Sequence, residues 1–212
     1  MSLKAIFYNE WEGSFIPDIL KEIYTDKIFE PYFLGKKDLT ILDVGANIGL
    51  TTNYFSKYGK VYSIEPAQES FNCLKKIIEN NELNAIPIQY AISTSNGETT
   101  FYHNKNNSTA NSLFKELQDG DTEIVKTRTL GEVFKEYDIE HVDFMKLDIE
   151  GAEFDVLGHD SFDEVADKID VIMGETHGWA NRNPGQIYQA LQNRGFKVRK
   201  VNSDANIFYA YK

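Results

Sequence analysis

A short apolar run, Thr40-Ile41-Leu42-Asp43-Val44, stops at Gly45 and is followed by a helical stretch over residues 49–57. An apolar segment of this length bounded by glycine reads as a buried strand, and a tight turn leading into a helix opens a βα unit. The unit then repeats. Residues 61–64 form a second strand ending at Glu65-Pro66, and residues 68–80 carry Phe71, Leu74, Ile77 and Ile78 at helical spacing. Strands alternating with helices leave few architectures open: an α/β fold with a mostly parallel sheet and helices on both faces. Ligands of such sheets bind at the carboxyl ends of the strands, beside the point where the strand order reverses.

The remaining chain extends the pattern. A third strand is predicted over residues 85–93, extended segments over 97–103 and 122–129, and a polar loop at 104–112 between them. A helix over 130–137, a fourth main strand over 142–149, a helix from about Ala152, a fifth strand over 170–175 and a helix over 184–193 follow. Residues 196–201 and 207–211 would close the sheet as an antiparallel pair. Upstream, residues 14–32 place Ile16, Ile19, Leu20, Ile23 and Tyr24 at helical spacing, with Pro17 suited to a first turn. With 212 residues in all, residues 1–38 read as a helical segment of the same domain as residues 39–212.

Charge and composition exclude several classes. The formal net charge of −11 opposes long-range attraction to a phosphate backbone. The nearest basic patch, Lys197-Val198-Arg199-Lys200, reads more simply as a late strand with solvated charges. Apolar runs stay well short of the roughly 18 residues of a membrane span. The start of the chain lacks the organisation of a secretory signal, and the single cysteine, Cys73, precludes an internal disulfide. The expectation is therefore a cytoplasmic protein with no nucleic-acid or membrane partner.

Five segments fall at the carboxyl ends of the predicted strands: residues 43–49, Glu65-Pro66, Ala91-Ile92, residues 148–151 and residues 175–177. In the first turn, Gly45-Ala46-Asn47-Ile48-Gly49, asparagine stands where a dinucleotide fold places the glycine that admits a pyrophosphate. S-adenosylmethionine has no phosphate and tolerates a side chain there. Asp43 would accept from its ammonium, directly or through water, and amides at the helix start would favour its carboxylate. Glu65, 22 positions after Asp43, is placed to accept from both ribose hydroxyls. Ala91 and Ile92 would flank the adenine. A nicotinamide cofactor remains the alternative, because Glu65 would serve its ribose equally well.

Three blocks carry a family resemblance: residues 42–49, then Ile64-Glu65-Pro66, and then the run Val142-Asp143-Phe144-Met145-Lys146-Leu147-Asp148-Ile149-Glu150-Gly151-Ala152-Glu153. Together with Thr129-Leu130-Gly131-Glu132-Val133-Phe134 they closely resemble the FkbM family of methyltransferases, from about Leu39 to His177. The resemblance implies a Rossmann-like class I methyltransferase fold with a seven-stranded sheet, and O-methylation of a hydroxyl on a small molecule or sugar. It gives cofactor roles to Asp43, Gly45, Asn47, Gly49 and Glu65, and sets Asp148 and Glu150 beside the reacting methyl. The acceptor itself and the oligomeric state are not legible.

A hydroxyl acceptor needs alignment and a group to take its proton. The candidates are Asp148, Glu150, Glu175 and His177, with Lys146 two positions before Asp148 on the same strand face. Two structural readings stand beside these roles: Glu150 can cap the amides of the following helix, and Glu153 can begin that helix. Asp148, Glu175 and His177 would also suit a divalent cation, although nothing in the spacing demands a metal. His103 and the loop after it are either a lid or a plain surface loop. A binding module that holds the cofactor without catalysis is a further alternative. The Asn/Asp-Pro-Pro-aromatic element expected for exocyclic amino targets is absent after the fourth strand.

Overall fold

The computed structural model describes residues 16–104, 111–115, 119–177, 182–201 and 206–212. Helix α1 (Ile16–Leu20), a single π-helical turn (Lys21–Thr25) and helix α2 (Glu30–Phe33) precede strand β1 (Leu39–Val44). Helix α3 (Leu50–Phe55), β2 (Gly59–Ile64), α4 (Gln68–Asn80) and β3 (Ala85–Ile88) complete the first half. Then come β4 (Ala91–Ile92), β5 (Gly97–Tyr102), β6 (Thr122–Arg128) and α5 (Leu130–Glu136). The last part holds β7 (Phe144–Leu147), α6 (Glu153–Gly158), α7 (Asp163–Ala166), β8 (Val171–Glu175), α8 (Pro184–Asn193), β9 (Lys197–Lys200) and β10 (Ile207–Tyr211).

Seven strands form one sheet in the order β3-β2-β1-β7-β8-β10-β9. The first five are parallel, and β10 runs antiparallel to both β8 and β9. The expected α/β fold and its closing antiparallel pair are therefore present. The order reverses between β1 and β7, which opens the ligand crevice above their carboxyl ends. Both strands are interior and buried on both faces, which is why they read as continuous apolar runs.

Successive residues of β1 feed two cores. Leu42 and Val44 pack with Val133, Leu157 and Leu191 of the α5, α6 and α8 layer. Ile41 packs on the other face with Phe29, Phe33, Phe55 and Phe144. The ring centroids of Phe33 and Phe144 lie 4.9 Å apart, as do those of Phe29 and Phe55. Aromatic packing thus anchors α2 to the sheet and holds the segment before it over the strand ends.

Local signals account for several boundaries. Thr129 caps α5 by accepting from the Glu132 amide, and Asn183 with Gln186 forms a capping box around Pro184 at the start of α8. Four expectations need correction. The predicted third strand is two: β3 ends level with its partner, Ile88 facing Ile64. Beyond that pair no strand remains to bond with, so Ala91–Ile92 joins a separate three-stranded sheet with β6 and β5. The N-terminal helix is interrupted, ending its first part before Lys27, which has a φ of 55°. The fourth strand is shorter than residues 142–149, with Val142 in an isolated bridge to Ile169. Finally, β9 occupies only Lys197–Lys200, whose charges face solvent as an edge strand requires. Residues 1–15 and 105–110, included in the sequence readings, lie outside the described residues.

Candidate active site

The carboxyl ends of β1, β2, β7 and β8 open into a cleft of about 410 Å³. Its first half is the β1 turn. Gly45 has a φ of 80°, and a Cβ there would lie 1.8 Å from the Asp148 carbonyl oxygen, so only glycine lets the turn and the end of β7 meet. The Gly45 carbonyl accepts from Lys146 Nζ at 2.8 Å. Asn47 also takes a left-handed conformation, φ 50°, and its side-chain oxygen accepts the Ile48 amide. Gly49, φ 96°, starts α3 against Leu74 and does not line the cleft.

Glu65 closes this half. One carboxylate oxygen accepts the Asn47 amide and the other the Ala67 amide, each at 2.9 Å. Burial raises its carboxyl to about 7, against the pull of those two amides. Pro66, Ala91 and Ile92 continue the wall, joined by Tyr90, Phe101 and Leu113. Asp43, expected to accept from the cofactor's ammonium directly or through water, does not itself line the cleft. It is fully buried beneath the turn, and its Oδ2 accepts from the hydroxyls of Thr51 and Thr52 at 2.8 Å each. Its Oδ1 is buried and has no partner among the described residues. Such an orphan acceptor below the turn suits an ammonium or a bridging water.

The second half gathers the ends of β7 and β8. Asp148 Oδ2 lies 3.2 Å from Lys146 Nζ. Burial opposes charge on Lys146, yet Asp148 and Asp43 hold its ammonium above the ordinary lysine range. Glu150, φ 52°, sits on a strained turn whose carbonyl accepts from the Ser112 hydroxyl. Its carboxylate is 3.4 Å from His177 Nε2. Burial pushes the Glu150 carboxyl up to about 8, Asp148 adding to the rise and His177 reducing it. Glu175, raised by burial and then by Asp148, is 4.0 Å from the same imidazole nitrogen.

His177 is therefore ringed by carboxylates. Burial works against its charge, but the hydrogen bond and charge of Glu153, followed by Glu150 and Asp148, raise its imidazolium to about 10. Asp148, Glu175 and His177 each offer an atom within 4.8 Å of the others. In this arrangement the positive charge among the carboxylates is supplied by Lys146 and the imidazolium. Glu153, rather than Glu150, receives the amides of the loop that leads into α6: those of Ile149 and Gly151, at 2.8 and 2.9 Å.

The third wall brings in residues to which the sequence reading gave no site role. Asp18, Ile19 and Glu22 of the N-terminal segment line the cleft with Phe29. Burial, then the charge of Asp148, raises the Glu22 carboxyl. Like charges four positions apart on a short helical segment are unfavourable on the segment's own account, and that was the one signal in the sequence. His103 pairs with Glu123 at 3.0 Å and does not line the cleft. His141 is exposed beside Asp170, and His159 caps a 3₁₀ turn.

A reversed strand order at β1/β7, a seven-stranded sheet with one antiparallel member and a glycine turn opposite a carboxylate define the class I methyltransferase fold. Residues 43–198 match the family model of the methyltransferase FkbM domain. The chain belongs to that family, and membership implies S-adenosylmethionine as the cofactor. It is 30% identical over 221 residues to the methyltransferase sdnD of Sordaria araneosa, covering 88% of this chain and 84% of the relative. It is 25% identical over 172 residues to the hexuronic acid methyltransferase AglP of Haloferax volcanii, covering 80% and 69%. Among solved structures, the methyltransferase FkbM from Methylobacillus flagellatus superposes with a TM-score of 0.54 at 13% identity over 82% of this chain and 44% of that one. A SAM-dependent methyltransferase from Aquifex aeolicus gives 0.53 at 16% identity over 92% of each. Both structural likenesses concern the fold.

Proposed function

We propose that the protein is an S-adenosylmethionine-dependent O-methyltransferase acting on a hydroxyl of a small molecule or sugar, with Glu150 as the proton acceptor. The observation that carries this reading is the placement of Glu150 beside His177 and Asp148, across the cleft from the Glu65–Asn47 turn.

When bound, the cofactor supplies an electrophilic methyl on a sulfonium that leaves readily, so the protein's work is alignment, exclusion of water and removal of a proton. Gly45, Asn47 and the Glu65 clamp shape one end of the site, and the unpaired Asp43 oxygen gives a buried acceptor for the amino-acid end. Apolar Ala91, Ile92 and Phe101 suit the flat adenine. At the other end, Glu150 would take the proton of an acceptor hydroxyl, at a carboxylate that lies 3.4 Å from His177 Nε2. A base with a pKa of about 8 loses little driving force near neutral pH. His177, held as a cation, stabilises the ionised Glu150 and does not itself act as the base.

A neutral hydroxyl fits this cleft better than an acceptor carboxylate. Among the described residues that line it, the cations are Lys146 and His177, and both are engaged by Asp148, Glu150 or Glu153. The name of the Haloferax relative suggests a sugar-like acceptor. The test is calorimetry with S-adenosylhomocysteine and NAD, followed by transfer of a labelled methyl to a panel of sugars and hydroxylated small molecules. Binding of S-adenosylhomocysteine and alkali-stable labelling of a hydroxyl are expected. Tight binding of NAD instead, or label released by mild base as a methyl ester, would overturn the reading.

A further inference from the structure

Glu153 is fully buried and does not line the cleft, yet it touches three elements of the site. Its Oε1 accepts the Ile149 amide at 2.8 Å and faces His177 Nδ1 at 3.1 Å, while Oε2 accepts the Gly151 amide at 2.9 Å. The two amides flank Glu150, so one carboxylate braces the strained turn that presents that residue. As a carboxylate, Glu153 carries no hydrogen and can only accept, so in that pair the imidazole nitrogen is the donor. Nδ1 therefore carries a hydrogen, and Nε2 is the nitrogen left facing Glu150, Asp148 and Glu175, at 3.4, 3.9 and 4.0 Å.

We infer that Glu153 is a positioning residue: it holds His177 as a cation with Nδ1–H toward itself and Nε2–H toward Glu150, and through that pair it sets the protonation of the reacting end of the cleft. This inference rests on the reading of Glu150 as proton acceptor. The groups facing His177 are Asp148 and Glu150 after β7 and Glu175 at the end of β8; behind them, Lys146 within β7 pairs with Asp148, and Glu22 of the N-terminal segment acts on Asp148 and Glu175. Arg182 approaches the Gly151 carbonyl at 3.4 Å while pairing with Asp155, outside the His177 ring. Glu153 is the carboxylate in this set that is bonded to the imidazole and sealed from solvent, where a charge is screened least.

The glutamine variant keeps the size of Glu153 and removes its charge. In Glu153→Gln, the His177 titration read by NMR of the ring C–H should fall by about 1 to 2 pH units. Glu153→Asp should recover part of that shift. The pH range of methyl transfer should narrow from both sides, because a less charged His177 also lets the Glu150 carboxyl rise. A brace without electrostatic effect would lower stability and leave the His177 titration in place; an unchanged titration in folded Glu153→Gln overturns the inference. Should that variant not fold, nitrogen-15 NMR of the wild-type ring decides. At pH 8 both ring nitrogens should be protonated, whereas a neutral ring, whichever nitrogen keeps its hydrogen, refutes the inference. None of these titrations needs turnover, so the absence of methyl transfer in the wild-type protein would count against the proposed function and not against this pairing.

Discussion

The two halves of the cleft are both acidic, but they treat their carboxylates differently. In the β1 half, the carboxylates are met by backbone amides and hydroxyls: Glu65 accepts from Asn47 and Ala67, and Asp43 from Thr51 and Thr52. In the β7–β8 half, Asp148, Glu150 and Glu175 face one another around a single imidazole. Burial raises carboxyls in both halves, but carboxylate repulsion is the smallest of the causes at Glu65, whereas at Glu150 and Glu175 the charge of Asp148 comes second only to burial. The first half is braced by backbone and hydroxyl donors, and the second crowds its carboxylates around a histidine, which is the arrangement on which the proposed proton transfer rests.

The contrast can be broken at its hinge. Gly45→Ala should have the largest effect, because its Cβ would meet a backbone oxygen of the other half and must adopt a left-handed conformation. We expect a loss of about 3 to 5 kcal/mol in stability by urea unfolding, with S-adenosylhomocysteine binding abolished. A variant of wild-type stability that still binds would show that the two halves are not locked together there.

Glu150→Gln should separate the halves. A loss of about 10²- to 10⁴-fold in kcat is expected, with S-adenosylhomocysteine affinity nearly unchanged. The pH profile provides the sign. Glu150 works ionised, so wild-type kcat rises through about pH 8, and His177 works protonated, so kcat falls again near pH 10. The variant should lose the rising limb, and its survival would assign the base elsewhere.

Glu65→Gln tests the shape-holding half. Its amide nitrogen cannot accept one of the two backbone N–H groups, which costs about 1–3 kcal/mol, so S-adenosylhomocysteine should bind about 10- to 100-fold more weakly. The pH dependence of kcat should not change, and a shifted profile would erase the distinction between the halves. The smallest effect is expected for Glu22→Gln, on the part-exposed third wall: about a two- to fivefold change in acceptor KM, with cofactor-product affinity unaltered.

The β1 half was largely legible. Gly45, Asn47 and Glu65 stand within one βα unit and the strand after it, and their spacing alone places them at one rim. Asp43 was legible as a site residue but not as a group under the turn, since the two threonine hydroxyls that claim it lie on the following helix. The charged half was legible only as a list. Asp148, Glu150, Glu175 and His177 could each be assigned to a strand end, whereas the assignment of the helix-entry amides to Glu153 rather than Glu150 depends on a turn with φ 52°. The acidic wall of Asp18 and Glu22 was missed because nothing local joins residues 18–22 to residue 148. Burial of Phe29 and Phe33 against the sheet brings them there.

By itself, the sequence determined what period and local chemistry can encode: the alternation of strands and helices, the glycine turn, the family blocks and the set of residues at the strand ends. Those properties depend on neighbours a few positions apart, and hydrophobic patterning specifies them without knowledge of the whole. Only the tertiary structure decided which carboxylate is satisfied, which is crowded and which histidine becomes a cation. Such properties follow from desolvation and from Coulombic interactions across a few ångströms, between groups as far apart in the chain as Asp43 and Lys146 or Glu150 and His177.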